Sequence, residues 1–92
     1  MVERRVKITN RLGLHARAAA QLVRTANRFK SVLRLERIDG SAVADAKSIL
    51  SVLMLAAAHG TELRATAEGA DETEAMVAVC GLFADGFGES MP

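Results

Sequence analysis

Residues 4–28, RRVKITNRLGLHARAAAQLVRTANR, decide the architecture, because their period changes partway along. From Arg4 to Thr9 the chain alternates: Val6 and Ile8 are apolar, while Arg5, Lys7 and Thr9 are polar. A period of two belongs to a strand with one buried face. Asn10-Arg11-Leu12-Gly13 ends the alternation. From Ala16 to Arg28 the period is helical. Ala19, Leu22, Val23 and Ala26 form an apolar stripe, and Arg17, Gln21, Arg24 and Arg28 form a wet one.

Outward from this segment, Ser31 to Arg37 alternates again, with Leu33 and Leu35 on one face. Asp39-Gly40 signals a turn, and Ser41 to Ala44 reads as a short return strand. Asp45 is placed to cap a second helix over Ala46–Ala58, with Gly60 at its C-terminal cap. Thr61 to Ala67 reads as a fourth strand. Asp71 and Glu74 have capping-box spacing and open a third helix to about Ala84. Residues 85–92 are expected to form a flexible tail. The order β-α-β-β-α-β-α predicts an α+β fold: an open-faced sandwich with a four-stranded antiparallel sheet, three helices on one face and water on the other. No repeat or linker divides the chain, so one domain over residues 1–92 is expected.

Half of the 92 residues are apolar, which excludes a disordered chain. The single cysteine, Cys80, cannot form an internal disulfide. The start, Met1-Val2-Glu3-Arg4-Arg5-Val6, lacks the apolar core of a signal peptide. The longest apolar stretch, Ile49 to Ala58 interrupted by Ser51, is too short to span a bilayer. A cytoplasmic protein without membrane insertion is expected. The net charge of +1 hides an asymmetry. Residues 1–38 hold ten Lys or Arg against two acids, and residues 39–92 hold two against nine. Either the halves fold together and pair their charges, or one surface stays basic and meets acidic or phosphorylated partners.

The candidates for chemistry are few. His15, His59 and Cys80 have no metal-ligand spacing, so neither a metal site nor a cofactor is expected. No Gly-rich phosphate loop is present. The only aromatics are Phe29, Phe83 and Phe87, poor platforms for stacking bases, so no nucleic acid partner is expected. His15 stands just ahead of the first helical residue. A group there faces the first-turn N–H donors and the positive end of the helix dipole, which suit a phosphate. Imidazole is largely neutral near pH 7 and can act as a nucleophile. Arg17, two residues on, can give charge-assisted bonds to phosphoryl oxygens. On spacing alone, a capping or surface histidine is the competing reading.

Gly13-Leu14-His15-Ala16-Arg17, followed by Ala18-Ala19, resembles the active-site motif of the HPr family, the phosphocarriers of the bacterial phosphoenolpyruvate-dependent phosphotransferase system. Lys47-Ser48-Ile49-Leu50, with Gly60 downstream, resembles that family's regulatory serine region. Glu68-Gly69-Ala70-Asp71-Glu72 resembles the start of its last helix. The resemblance spans about residues 3–84. It implies a phosphocarrier that is not an enzyme. It implies that His15 takes a phosphoryl group on Nδ1 from Enzyme I and passes it to IIA proteins or domains. It implies that Arg17 helps neutralise that phosphate, that Arg24, Lys47, Ile49, Leu50 and Leu53 dock partners, and that Ser48 is a regulatory phosphorylation site for a serine kinase. Ala18 departs from the pattern, where the family usually has Pro; Ala fixes φ less but is the best helix former.

Three other readings stand beside this one. A carrier in a regulatory nitrogen-type relay would use the same chemistry without sugar transport. A small α+β adaptor or RNA-binding module would make His15 incidental. A hydrolase or metalloenzyme lacks clustered ligands and acid–base pairs in this sequence. The second helix is apolar nearly all round, which fits either an exposed docking patch or deeper burial between helices.

Overall fold

The structure is a computed structural model and describes residues 1–89. Four strands, β1 (Val2–Lys7), β2 (Val32–Arg37), β3 (Val43–Asp45) and β4 (Glu62–Glu68), form one antiparallel sheet in the order β1-β4-β2-β3. Three helices, α1 (Ala16–Ala26), α2 (Ile49–Leu53) and α3 (Glu72–Ala84), complete the β-α-β-β-α-β-α order expected from the periodicity. Alternate residues, Val6, Leu33, Leu35, Ala44, Leu63 and Ala65, bury their side chains under the helices. Each fully buried leucine there contributes about 2–3 kcal/mol relative to exposure.

The opposite sheet face is charged, and it partly answers the question of the two halves. Arg64 reaches Glu3 at 3.4 Å and Glu36 at 3.1 Å, across β1, β4 and β2. This offsets its position directly opposite Arg5 in the β1–β4 register. Among the described residues, Arg11, Arg17, Arg24 and Arg28 make no ion pair. The charges therefore pair over the sheet, while the cations on and around α1 stay on the surface.

Several boundaries differ from the sequence expectation. The second helix is five residues long, not the thirteen of 46–58. Its N-cap is Ser48, not Asp45, and its C-cap is Met54, not near Gly60. Asp45 belongs to β3, where its N–H donates to the Ser51 hydroxyl and its carboxylate accepts from the Lys47 N–H, both at 2.9 Å. Beyond Leu53 the chain leaves the helix so that Leu55 and Ala57 can enter the core. Ala56 between them takes a left-handed φ of 51°.

Asp71 caps α3 without a side-chain bond to it, so the Asp71/Glu74 capping box is not formed. Its carboxylate instead accepts from the N–H groups of Lys30 at 2.8 Å and Ser31 at 2.9 Å, and from the Ser31 hydroxyl. Glu72 accepts from the Gly69 N–H at 3.1 Å. The expected tail from residue 85 is also corrected. Gly86–Gly88 form a 3-10 turn whose Phe87 is buried and meets Phe83 edge-on, with centroids 5.0 Å apart. Residues 90–92 of that expected tail lie outside the described residues.

Candidate functional site

His15 is the N-cap of α1. Its backbone is extended (φ −74°, ψ 178°), as a cap requires, and Nδ1 accepts from the Arg17 N–H at 3.3 Å. Two contacts hold the loop that delivers it. Leu14 N–H donates to the Ala57 carbonyl at 2.9 Å, and buried Asn10 donates its side-chain N–H to the Gly13 carbonyl at 2.7 Å. The first ties the loop to the segment after α2; the second closes the loop on itself. The imidazole is 28 % exposed, enough for another protein to reach it while its orientation stays defined.

The ring's other nitrogen has a partner that sequence spacing did not reveal. Nε2 pairs with the carboxylate of Glu89. The second oxygen of that carboxylate accepts from Asn10 Nδ2 at 3.1 Å. Glu89 is held below the usual carboxylate range, first by its hydrogen bond to His15 and next by the one from Asn10. Glu89 lies 74 residues from His15 in the chain, inside the segment expected to fray, so no local pattern marked it.

Arg17 and Arg24 are exposed on α1. Ala18 is fully buried in the first turn, where Pro would also fit the helical backbone. Beside this surface, α2 and its flanks present Ile49, Leu50, Leu53 and Met54, with Leu50 66 % and Met54 73 % exposed. Only Val52 of α2 is buried, so deep burial of the whole helix is excluded. Leu12, 68 % exposed on the loop before His15, was not singled out from sequence. An apolar residue in the turn was its only signal. Lys47 is half-buried, and its ammonium donates to the Phe29 carbonyl at 2.7 Å, fastening the turn that follows α1. Ser48 is half-buried, and its hydroxyl accepts from the Ser51 N–H at 3.3 Å. His59 is exposed, and Cys80 is half-buried with its thiol pushed up by burial. No group of three or more potential metal ligands occurs among the described residues. No helix among them is long and apolar enough to cross a membrane.

The fold and this site define a small α+β protein that presents a histidine at a helix N-terminus, an arrangement suited to holding an anion. Comparison with known proteins makes the class specific. Residues 2–85 match the PTS-HPr family, described as the PTS HPr component phosphorylation site. Phosphocarrier protein HPr of Cupriavidus necator is 47 % identical over 89 residues, covering 97 % of this chain and 98 % of its own. Phosphocarrier protein HPr of Xylella fastidiosa strain Temecula1 is 46 % identical over the same shares. The crystal structure of HPr-C-His from Thermoanaerobacter tengcongensis superposes with a TM-score of 0.92 at 38 % identity, covering 99 % of this chain and 100 % of that one. The chain belongs to the PTS-HPr family. It is a phosphocarrier protein of the phosphotransferase system, a carrier and not a catalyst, and its partners are components of that system.

Proposed function

We propose that His15 is the phosphoryl acceptor and that the group is carried on Nδ1, received from Enzyme I and passed to IIA proteins or domains in the cytoplasm. The observation that carries this reading is the aim of Nδ1 at the first turn of α1, shown by the bond from the Arg17 N–H. In the transfer, the Nδ1 lone pair forms a bond to phosphorus. The donor's bond to phosphorus breaks, and its electron pair leaves with the donor. The transferred oxygens then lie where first-turn N–H groups and the dipole favour negative charge. Arg17, exposed on the same turn, adds a cation. Arg24 and the exposed apolar residues Leu12, Ile49, Leu50, Leu53 and Met54 supply a surface on which partners dock. Lys47 serves that surface indirectly, by fixing the turn after α1.

The test is incubation with phosphoenolpyruvate and purified Enzyme I. The chain should take up label that is acid-labile and base-stable, as a P–N bond is. His15→Ala should take up none while keeping its fold. Label that survived acid, or that appeared equally on the variant, would remove His15 from the role.

A second modification at Ser48 is favoured by its place as the α2 N-cap beside exposed Ile49 and Leu50. A phosphate there adds about −1.5 to −2 charge at pH 7. It would lie within the docking surface without touching the imidazole, under the action of a serine kinase.

A further inference from the structure

We propose that Glu89 is a positioning residue for the carrier histidine: the turn anchored by Phe87 holds its carboxylate on His15 Nε2 and so keeps Nδ1 the nucleophilic nitrogen. The proposal rests on the assignment of His15 as acceptor. A neutral imidazole carries one N–H, and the two contacts on this ring agree about where it is. Nε2 faces a carboxylate, which only accepts, so Nε2 bears the proton. Nδ1 faces a backbone N–H, which only donates, so Nδ1 bears the lone pair. The contacts come from opposite ends of the chain and select the same tautomer.

The segment that carries Glu89 is built and not incidental. Phe87 adopts a left-handed φ of 58°, a conformation that strains a non-glycine residue and carries a cost. It is nevertheless fully buried, and burial of a phenyl ring more than offsets that cost. Gly88 N–H donates to the Asp85 carbonyl and Glu89 N–H to the Gly86 carbonyl, both at 3.1 Å, closing the turn. Asn10, 1 % exposed, donates to both Gly13 and Glu89, so one amide joins the loop before His15 to the carboxylate behind it.

During transfer no proton need move. As the bond from Nδ1 to phosphorus forms, the ring gains positive character. The proton stays on Nε2, and the Glu89 carboxylate compensates the developing charge, as the acid of a Ser-His-Asp triad does for its imidazole.

The experiment compares the full chain with Glu89→Ala and Glu89→Gln. Two quantities are read: the rate of label transfer from phospho-Enzyme I, and the proton NMR signal of the imidazole N–H. The parent should show a downfield, hydrogen-bonded Nε2–H signal. Glu89→Ala should lose it and transfer roughly five- to tenfold more slowly, as expected for losing a charged partner that is only partly shielded from water. Glu89→Gln keeps an acceptor oxygen, so it should retain a weaker, upfield-shifted signal and recover part of the rate. The backbone amide spectrum away from the site should be the parent's in both variants, which separates positioning from loss of fold. A parent without the downfield signal, or a Glu89→Ala variant with the parent's rate and ring signals, overturns the proposal. Label found on a residue other than His15 would instead overturn the acceptor assignment.

Discussion

Gly13 lies so close to Ala57 that a Cβ at position 13 would sit 2.6 Å from the Ala57 carbonyl oxygen and 2.9 Å from Ala58 Cα. The loop that presents His15 and the segment after α2 are therefore one packed unit. Gly13 also has a φ of 67°, where a side chain is strained even in open space. Gly13→Ala should lose about 3 kcal/mol of stability, the sum of a left-handed backbone and an unavoidable clash. It should also slow phosphoryl transfer, because the clash displaces the loop that carries the imidazole. Urea denaturation gives the first quantity; a loss below about 1 kcal/mol would show that the two segments separate easily.

Arg17→Ala should act on transfer and not on the fold. The side chain is exposed and in no ion pair among the described residues, so stability should change by less than about 0.5 kcal/mol. A charge-assisted contact to phosphate is worth roughly 1.5–3 kcal/mol, so transfer should slow on the order of 10- to 100-fold. Stopped-flow kinetics with phospho-Enzyme I measure it. A rate equal to the parent's would exclude the guanidinium from the step.

Ser48 as an N-cap makes its two variants separable. Asp caps a helix as well as Ser does, so Ser48→Asp should keep the parent's stability, whereas Ser48→Ala should lose about 0.5–1 kcal/mol. Only Ser48→Asp puts charge beside Ile49 and Leu50. It should slow His15 phosphorylation by about tenfold or more, while Ser48→Ala accepts phosphate close to the parent rate. If both variants accept it at the parent rate, Ser48 is a helix cap and no switch.

Asp71 should give the fold part of its acid sensitivity. Its carboxyl is lowered from the ordinary 3.8, first by the hydroxyl of Ser31 and next by the Lys30 N–H. A folded value below the unfolded one means stabilisation that is complete above the unfolded value and lost as the pH falls through the folded one. The stability difference between the parent and Asp71→Asn should therefore be constant down to about pH 5 and shrink below about pH 4. Urea midpoints across that range test it; a difference independent of pH would mean that the carboxylate charge contributes nothing there.

Periodicity is a local property, and what it could determine it did. Alternation around Val6, Leu33, Leu35 and Leu63, and the stripe through Ala19, Leu22 and Ala26, give the order of strands and helices. They also give the faces that turn inward. The position of His15 just ahead of a helical period, and the motif around it, marked it as the candidate site for the same reason, and its place as the α1 N-cap follows from that period. Tertiary contacts decided the rest. Ala46–Ala58 has the composition of a helix, yet only Ile49–Leu53 is one. The Ala57 carbonyl is needed by the Leu14 N–H, and Leu55 is needed in the core. Those gains exceed the few tenths of a kcal/mol per residue that helix propensity offers. Asp71 gave up its helix for Lys30 and Ser31, which the close approach of Gly69 to Ser31 brings within reach. Glu89 found His15 only because Phe87 filled a space under α3 that no stretch of sequence describes. A side chain's partner along a helix or strand follows from the repeat of the backbone. A partner 74 residues away depends on how the whole chain has packed.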